Sequence, residues 1–221
     1  MALLDLVLPP RCGSCLALGS WLCVPCRTKI RRLEEPLCPR CGAESESRRC
    51  PCRARLRNLG RLRAAAAYEG SLERAIHRFK YEGWRALARP LARLLEDRLA
   101  VDGIPGGVLV PVPLHPSRRH VRGYNQSELI ARELARSLRL PLAAGLARVR
   151  DTPPQVGLDR IHRRDNVKGA FQWRAGHLAR EPVLLVDDVA TTGATLEACA
   201  KALKAAGAGS VTGIVLARVR I

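Results

Sequence analysis

The stretch that most narrows the fold of this chain is residues 183–203, VLLVDDVATTGATLEACAKAL. Val183–Val186 is short and apolar throughout, the pattern of a strand buried on both faces of a parallel sheet. It stops at Asp187 and Asp188, residues that pleated sheets disfavour, so the strand is expected to deliver two carboxylates to its C-terminal edge. Thr191, Thr192, Gly193, Ala194 and Thr195 follow, hydroxyl-rich and without a bulky side chain, and lead into an apolar helical pattern. A loop of that composition lets its backbone approach an anion. Unpaired N–H groups, the positive end of the helix dipole and nearby hydroxyl donors together make a phosphate cradle. The C-terminal edge of an open parallel sheet is also where such folds bind ligands. The competing reading is an ordinary strand-to-helix turn with two surface acids.

VLLVDDVATTGAT resembles the motif by which type I phosphoribosyltransferases hold 5-phosphoribosyl pyrophosphate. The resemblance implies a catalytic acid pair, Asp187 and Asp188, that faces the ribose hydroxyls directly or through Mg²⁺. It also implies that Thr191, Thr192, Gly193, Ala194 and Thr195 take the 5′-phosphate.

Eight of the nine cysteines fall before residue 53, as Cys12-x-x-Cys15, Cys23-x-x-Cys26, Cys38-x-x-Cys41 and Cys50-x-Cys52. Close pairs in a chain without an export signal point to metal rather than to a disulfide framework. Four knuckles of two thiolates each supply ligands for two tetrahedral Zn²⁺ sites. The spacing allows sequential pairing of the knuckles and interleaved pairing alike. Only Pro51 separates the cysteines of the fourth knuckle, which makes the second site the less regular one. Residues 1–63 are thus read as a zinc-binding module with little core of its own. Metal binding, worth about 10 kcal/mol per site, is expected to hold it together, so that chelation unfolds it before the rest. Cys199 lies on the apolar side of the last helix and reads as a core thiol.

From residue 64 onwards strand and helix patterns alternate, as an α/β fold requires. Ala64–Tyr68 reads as a strand, Ser71 as the cap of a helix carrying Leu72, Ile76 and Phe79, and Trp84–Leu99 as a second helix. Phe79, Tyr81, Trp84 and His77 read as packing residues. Val108–Val112 is a strand whose prolines turn the chain out at its end. Asn125 with Glu128 reads as a capping box for a helix bearing Leu129, Ile130, Leu134 and Leu138. Just before it, Arg118, Arg119 and Arg122 cluster in an expected loop, where three guanidiniums suit a pyrophosphate. Taken with the knuckles and VDDVATTGAT, the segment VPVPLHPSRRHVRGYNQSELIA resembles the ComF family of competence-associated phosphoribosyltransferase-like proteins, which includes GntX. That resemblance spans essentially the whole chain.

The polar, basic segment 148–171 separates expected strands at Leu146–Val149 and Phe171–Trp173. By the phosphoribosyltransferase resemblance it is the loop that closes over the diphosphate, with Arg150, Gln155, Arg160, Arg164 and Asn166 as its candidate contacts. Arg150 and Arg164 join Arg118, Arg119 and Arg122 as expected ligands of phosphoribosyl pyrophosphate. The histidines show no zinc-ligand spacing.

The formal net charge of +18 favours polyanionic partners. Two zinc–tetrathiolate sites would lower it to +14 without changing that conclusion. Basic runs at Arg27–Arg32 and Arg48–Arg63 read either as a solvated face offsetting the thiolates or as contacts to a nucleic-acid backbone. Trp21 is the single aromatic residue of the module available for stacking. No segment reaches the length of a membrane span, and MALLDLVLPP lacks the basic start of a signal peptide. A cytoplasmic protein without membrane insertion is therefore expected.

The expected architecture is a type I phosphoribosyltransferase fold over residues 64–221, a mostly parallel sheet flanked by helices, preceded by the zinc module. Two functions are carried forward. One is phosphoribosyl transfer, a glycosyltransferase reaction, from phosphoribosyl pyrophosphate with Mg²⁺ to an unknown acceptor. The other, following the family's link to competence, is a non-catalytic accessory of DNA uptake that binds single-stranded DNA beside machinery such as a helicase, with phosphoribosyl pyrophosphate as a structural or regulatory ligand.

Overall fold

The computed structural model describes residues 9–44, 50–103, 106–150, 167 and 169–220. Leu3–Leu8, Arg48, Arg49, Gln155, Arg160, Arg164 and Asn166, for which the sequence raised expectations, lie outside the described residues.

Two tight cysteine-bearing folds open the chain. The first closes with a short helix, α1 (Val24–Thr28), and the second with a 3-10 turn at Pro51–Ala54. The remaining elements are β1 (Arg61–Ala67), α2 (Gly70–Tyr81), α3 (Ala88–Asp102), β2 (Val108–Pro111), α4 (Pro116–Arg122), α5 (Gln126–Leu138), β3 (Leu146–Arg148), β4 (Phe171–Trp173), β5 (Val183–Ala190), α6 (Ala194–Ala205) and β6 (Val211–Arg218). Strands β1, β6, β5 and β2 form a parallel sheet in that order. A separate antiparallel pair joins β3 to β4. The expected boundary between residues 63 and 64 falls inside β1.

The sheet divides the core into two apolar clusters. On one face Ala66, Leu109, Leu184, Val186, Ile214 and Leu216 meet α2, α3 and α5. On the other, Leu62, Val110, Leu185 and Val215 meet α6 and the β3–β4 pair. Each cysteine fold joins a different cluster: Cys12, Leu22, Cys26 and Ile30 the first, and Cys38, Cys41, Cys52, Leu56 and Leu59 the second. The cysteine module thus shares its burial with the sheet.

Several local expectations need correction. Strand β5 continues through both acids to Ala190, because Asp187 and Val189 still pair with Val215 and Ala217 of β6. Side-chain partners described below compensate the acids, so tertiary context overrides their poor strand propensity. Ser71 does not cap α2. The chain leaves β1 still bonded to β6 through Tyr68 N–H to Arg218 O, and turns at Gly70 (φ 57°), which places Ser71 buried in the first helical turn. The second helix starts at Ala88 after a 3-10 turn at Arg85–Leu87. Arg118, Arg119 and Arg122 lie on the short helix α4 rather than in a loop.

Candidate functional site

At the C-terminal edge of the sheet, the start of α5 meets the acid pair of β5. Asn125 caps α5, accepting from Ser127 N–H at 3.1 Å, while its amide donates to Val112 O at the end of β2. Glu128 does not reach back to complete a capping box. It pairs instead with Arg132 at 2.6 Å and Arg119 at 3.3 Å. The cap orients Ser127, whose hydroxyl donates to Asp187 Oδ1 at 2.8 Å. Asp188, 4% exposed, takes Lys80 Nζ of α2 at 2.7 Å through one oxygen. Its other oxygen, Oδ2, is buried without a hydrogen-bond partner.

Burial and the neighbouring Asp188 carboxylate push the Asp187 carboxyl up to about 7, against the pull of Ser127 and Lys80. Burial disfavours the Lys80 ammonium, but the Asp188 carboxylate outweighs it and raises its pKa above the ordinary range. A buried acid at such a shifted value is a common mark of a functional site.

The segment after β5 fits an anion. Thr191–Gly193 form a bend, Thr192 Oγ1 accepts from Ala194 N–H at 3.3 Å, and Gly193 enters α6 with φ 81°. Thr191, Thr192, Ala194 and Thr195 are all half-buried at this helix N-terminus. Gly193 is needed twice over: its φ is left-handed, and a Cβ there would stand 3.2 Å from Leu56 Cδ2.

Of the expected pyrophosphate contacts, Arg122 donates to Gln126 Oε1 at 2.5 Å and lies over the Tyr81 ring at 5.1 Å. Arg118 is half-buried on the same helix, and Arg119 is exposed. Tyr124, between α4 and α5, hydrogen-bonds Phe79 O, so the ends of α2 and α4 are tied together beside Lys80. Arg150 is exposed just past β3, and Arg164 lies outside the described residues.

The cysteines form two quartets, Cys12/Cys15/Cys23/Cys26 and Cys38/Cys41/Cys50/Cys52, each with its sulfurs within 4.8 Å of one another. Pairing is therefore sequential. Cys15–Cys23, Cys38–Cys52 and Cys41–Cys50 sulfurs are 3.7, 3.6 and 3.6 Å apart, close to the ~3.8 Å edge of a tetrahedron with Zn–S bonds of about 2.3 Å. Burial works against the Cys12 thiolate, yet backbone N–H groups of Cys15, Cys23 and Ser14 bring it down to about 6. Burial also works against the Cys38 thiolate, which N–H donors at Cys41 and Arg40 bring down to about 7, while Cys23 in the first quartet and Cys41 and Cys52 in the second are pushed up, so that each quartet holds thiols shifted both ways. These quartets fit zinc.

Arginines bind the quartets to the rest of the chain. Arg78 of α2 donates to Gly13 O and Ser14 O, Arg63 of β1 to Pro39 O, and Arg218 of β6 to Cys41 O. Arg31 pairs with Glu44 and Glu69, and Arg32 with Asp97. Part of the basic run read as a nucleic-acid face is thus engaged within the protein.

Sequence reasoning missed Lys80, which was hidden between Phe79 and Tyr81 in a stretch read as packing. It also missed Ser127, whose role follows from the cap at Asn125, and Glu197. The Glu197 carboxylate accepts from the N–H groups of Arg57, Asn58 and Leu59 and from the Asn58 amide, at 2.7–3.2 Å.

The double zinc ribbon domain family matches residues 3–56, and the phosphoribosyl transferase domain family matches residues 125–221. The chain is 34% identical over 219 residues to the DNA utilization protein YhgH of Escherichia coli O157:H7, covering 93% of this chain and 96% of that protein. It is 34% identical over 209 residues to competence protein F of Haemophilus influenzae, covering 89% and 90%. Competence protein ComFC of Bacillus subtilis is 28% identical over 207 residues, covering 89% and 84%.

Proposed function

The chain belongs to the ComF family, a double zinc ribbon joined to a phosphoribosyl transferase domain, and from that premise we propose that it binds 5-phosphoribosyl pyrophosphate with Mg²⁺ and transfers its phosphoribosyl group. The observation that carries this reading is the orphaned Asp188 Oδ2, buried beside Asp187 at the sheet edge. An unpartnered buried carboxylate oxygen is costly in the free protein, and a ribose hydroxyl or a Mg²⁺ would satisfy it.

Within this reading Asp187 and Asp188 hold the ribose, and Thr191–Thr195 anchor the 5′-phosphate at the N-terminus of α6. Bound Mg²⁺ supplies positive charge to the diphosphate oxygens. Arg118, Arg119 and Arg122, with Arg150 and Arg164, hold the pyrophosphate as its bond to the anomeric carbon breaks and the acceptor's lone pair forms the new one. The two carboxylates stabilise the positive charge that develops on the ring. Such a site works through positioning and electrostatics, where a displacement of ~1 Å costs roughly a hundredfold in rate. Pyrophosphate release should be measured across nucleobases, amines and water. The reading expects release with at least one acceptor, abolished by Asp187→Asn with Asp188→Asn. Binding of the donor without turnover on any acceptor would reduce the protein to a ligand-binding one.

A second reading, a single-stranded DNA accessory of competence, is favoured by an open groove of about 760 Å³ between the first ribbon and helices α3 and α5. Trp21, Arg85, Arg89, Arg93 and Arg136 line it together with Glu96 and Glu133, the last paired with Arg136, and the relatives are named for competence and DNA utilization. This reading places the protein in the cytoplasm beside DNA-import machinery such as a helicase. No helix among the described residues is long and apolar enough to cross a membrane. Affinity for oligonucleotides should fall steeply with salt as counterions are released, and a salt-independent affinity would contradict it.

A further inference from the structure

The second cysteine quartet is wired to the candidate phosphate loop. Four consecutive residues of the chain that leaves it, 56–59, make the connection. Leu56, hydrogen-bonded through its N–H to Cys52 O, brings its Cδ2 to 3.2 Å from where a Cβ on Gly193 would stand. Residues 57–59 then donate three backbone N–H groups and the Asn58 amide to the Glu197 carboxylate, in the first turn of α6. Arg40, between Cys38 and Cys41, closes the circuit from the other side by donating to Leu56 O at 2.6 Å and Arg57 O at 3.3 Å. A carboxylate at this point would repel an incoming phosphate. Its four N–H donors offset part of that charge and hold the side chain to the ribbon. The first quartet touches α2 instead, where Arg78 donates to Gly13 O and Ser14 O, and its buried residues lie in the cluster on the opposite face of the sheet from the loop's contacts with Leu56.

We propose that the second zinc ribbon forms one wall of the phosphate-binding loop, with Glu197 and Leu56 as positioning residues, so that metal occupancy of Cys38/Cys41/Cys50/Cys52 and anion binding at residues 191–195 are coupled. The first quartet stands outside this coupling. The inference rests on the reading of the loop as the phosphate site and adds a regulatory input to it: loss of the second zinc loosens the loop. Because coupling is reciprocal, a phosphorylated ligand must in turn protect the second zinc.

The test uses the full zinc-loaded chain. Its zinc is withdrawn with a chromogenic chelator, and the exposed thiols are alkylated and located by mass spectrometry, with and without phosphoribosyl pyrophosphate and Mg²⁺. Calorimetry on the same samples reports binding. The expected result is slower alkylation of Cys38, Cys41, Cys50 and Cys52 by about tenfold, inside the roughly 5- to 150-fold range of coupling between sites. The first quartet, which reaches the site only through α2, is expected to be protected much less. Glu197→Gln should keep both zincs, lose this selective protection and bind the ligand several-fold more weakly. If calorimetry shows binding and the two quartets are protected equally, or neither is, the coupling is overturned while the donor reading stands. If calorimetry shows no binding to the wild-type protein, the donor reading itself fails and the coupling with it. Protection measured on the wild-type chain keeps the test decisive even if Glu197→Gln folds poorly.

Discussion

Lys80 Nζ sits 2.7 Å from Asp188 Oδ1, with the two side chains only 15% and 6% exposed. This pair joins the end of α2 to the C-terminal edge of β5 and fixes the orientation of the carboxylate whose second oxygen is unpartnered. Removing one partner of such a pair strands the other charge. Lys80→Met should therefore destabilise the fold by about 3–5 kcal/mol in urea titrations, and Lys80→Met with Asp188→Leu should recover most of the loss. A single variant within about 0.5 kcal/mol of wild type would place the pair among ordinary surface contacts.

Asp187, raised from 3.8 to about 7 chiefly by burial, gives the protein a pH dependence of definite sign. Between about pH 4 and pH 7 the folded state keeps a proton that the unfolded chain has released, so stability declines as pH rises through that window. Asp187→Asn removes this contribution. Its stability advantage over wild type should grow from pH 5 to pH 8 in thermal unfolding, and an advantage that stays constant with pH would refute the assignment. Ser127→Ala, which deletes the 2.8 Å hydrogen bond to Asp187, should move the midpoint higher.

Gly193 carries a left-handed φ of 81° and has Leu56 Cδ2 3.2 Å from where a Cβ would stand. Gly193→Ala should cost roughly 1–2 kcal/mol from the backbone alone and weaken binding of phosphoribosyl pyrophosphate by at least about tenfold. A variant that unfolds earlier but binds as tightly as wild type would remove this loop from the phosphate site.

Zinc removal should not simply release the N-terminal module. Cys12 and Cys26 belong to the cluster on one face of the sheet, and Cys38, Cys41 and Cys52 to that on the other. Chelation is accordingly expected to lower the melting temperature of the whole chain in one cooperative transition. Two well-separated transitions, the first confined to residues before β1, would restore the picture of an independent module that the cysteine spacing suggests.

The sequence made the framework legible where local chemistry determines it. The apolar run Val183–Val186, the glycine loop before α6 and the cysteine knuckles each carry their own signal, and each is found in the expected element. Pairing of the knuckles was open because both arrangements satisfy the spacing, and only the close approach of the sulfurs decides it. Asp187 and Asp188 were expected to end β5, but they stay within it because Lys80 and Ser127 compensate them. Those partners, like the link from Glu197 to Asn58 across 139 residues, join segments far apart in the chain and leave no periodic trace. Arginine shows the same limit. A basic run looks alike whether its guanidiniums face solvent or, as with Arg63 and Arg218, cap buried carbonyls of the second ribbon.

If the acid pair and the loop after β5 form a donor site, titrating the zinc-loaded protein with phosphoribosyl pyrophosphate and Mg²⁺ in a calorimeter will show it. Saturable binding at one site per chain is expected, strengthening as pH rises through 7 and lost in the Asp187→Asn, Asp188→Asn double variant. Absence of binding to the wild-type protein at pH 8, or equal binding by the double variant, would contradict it.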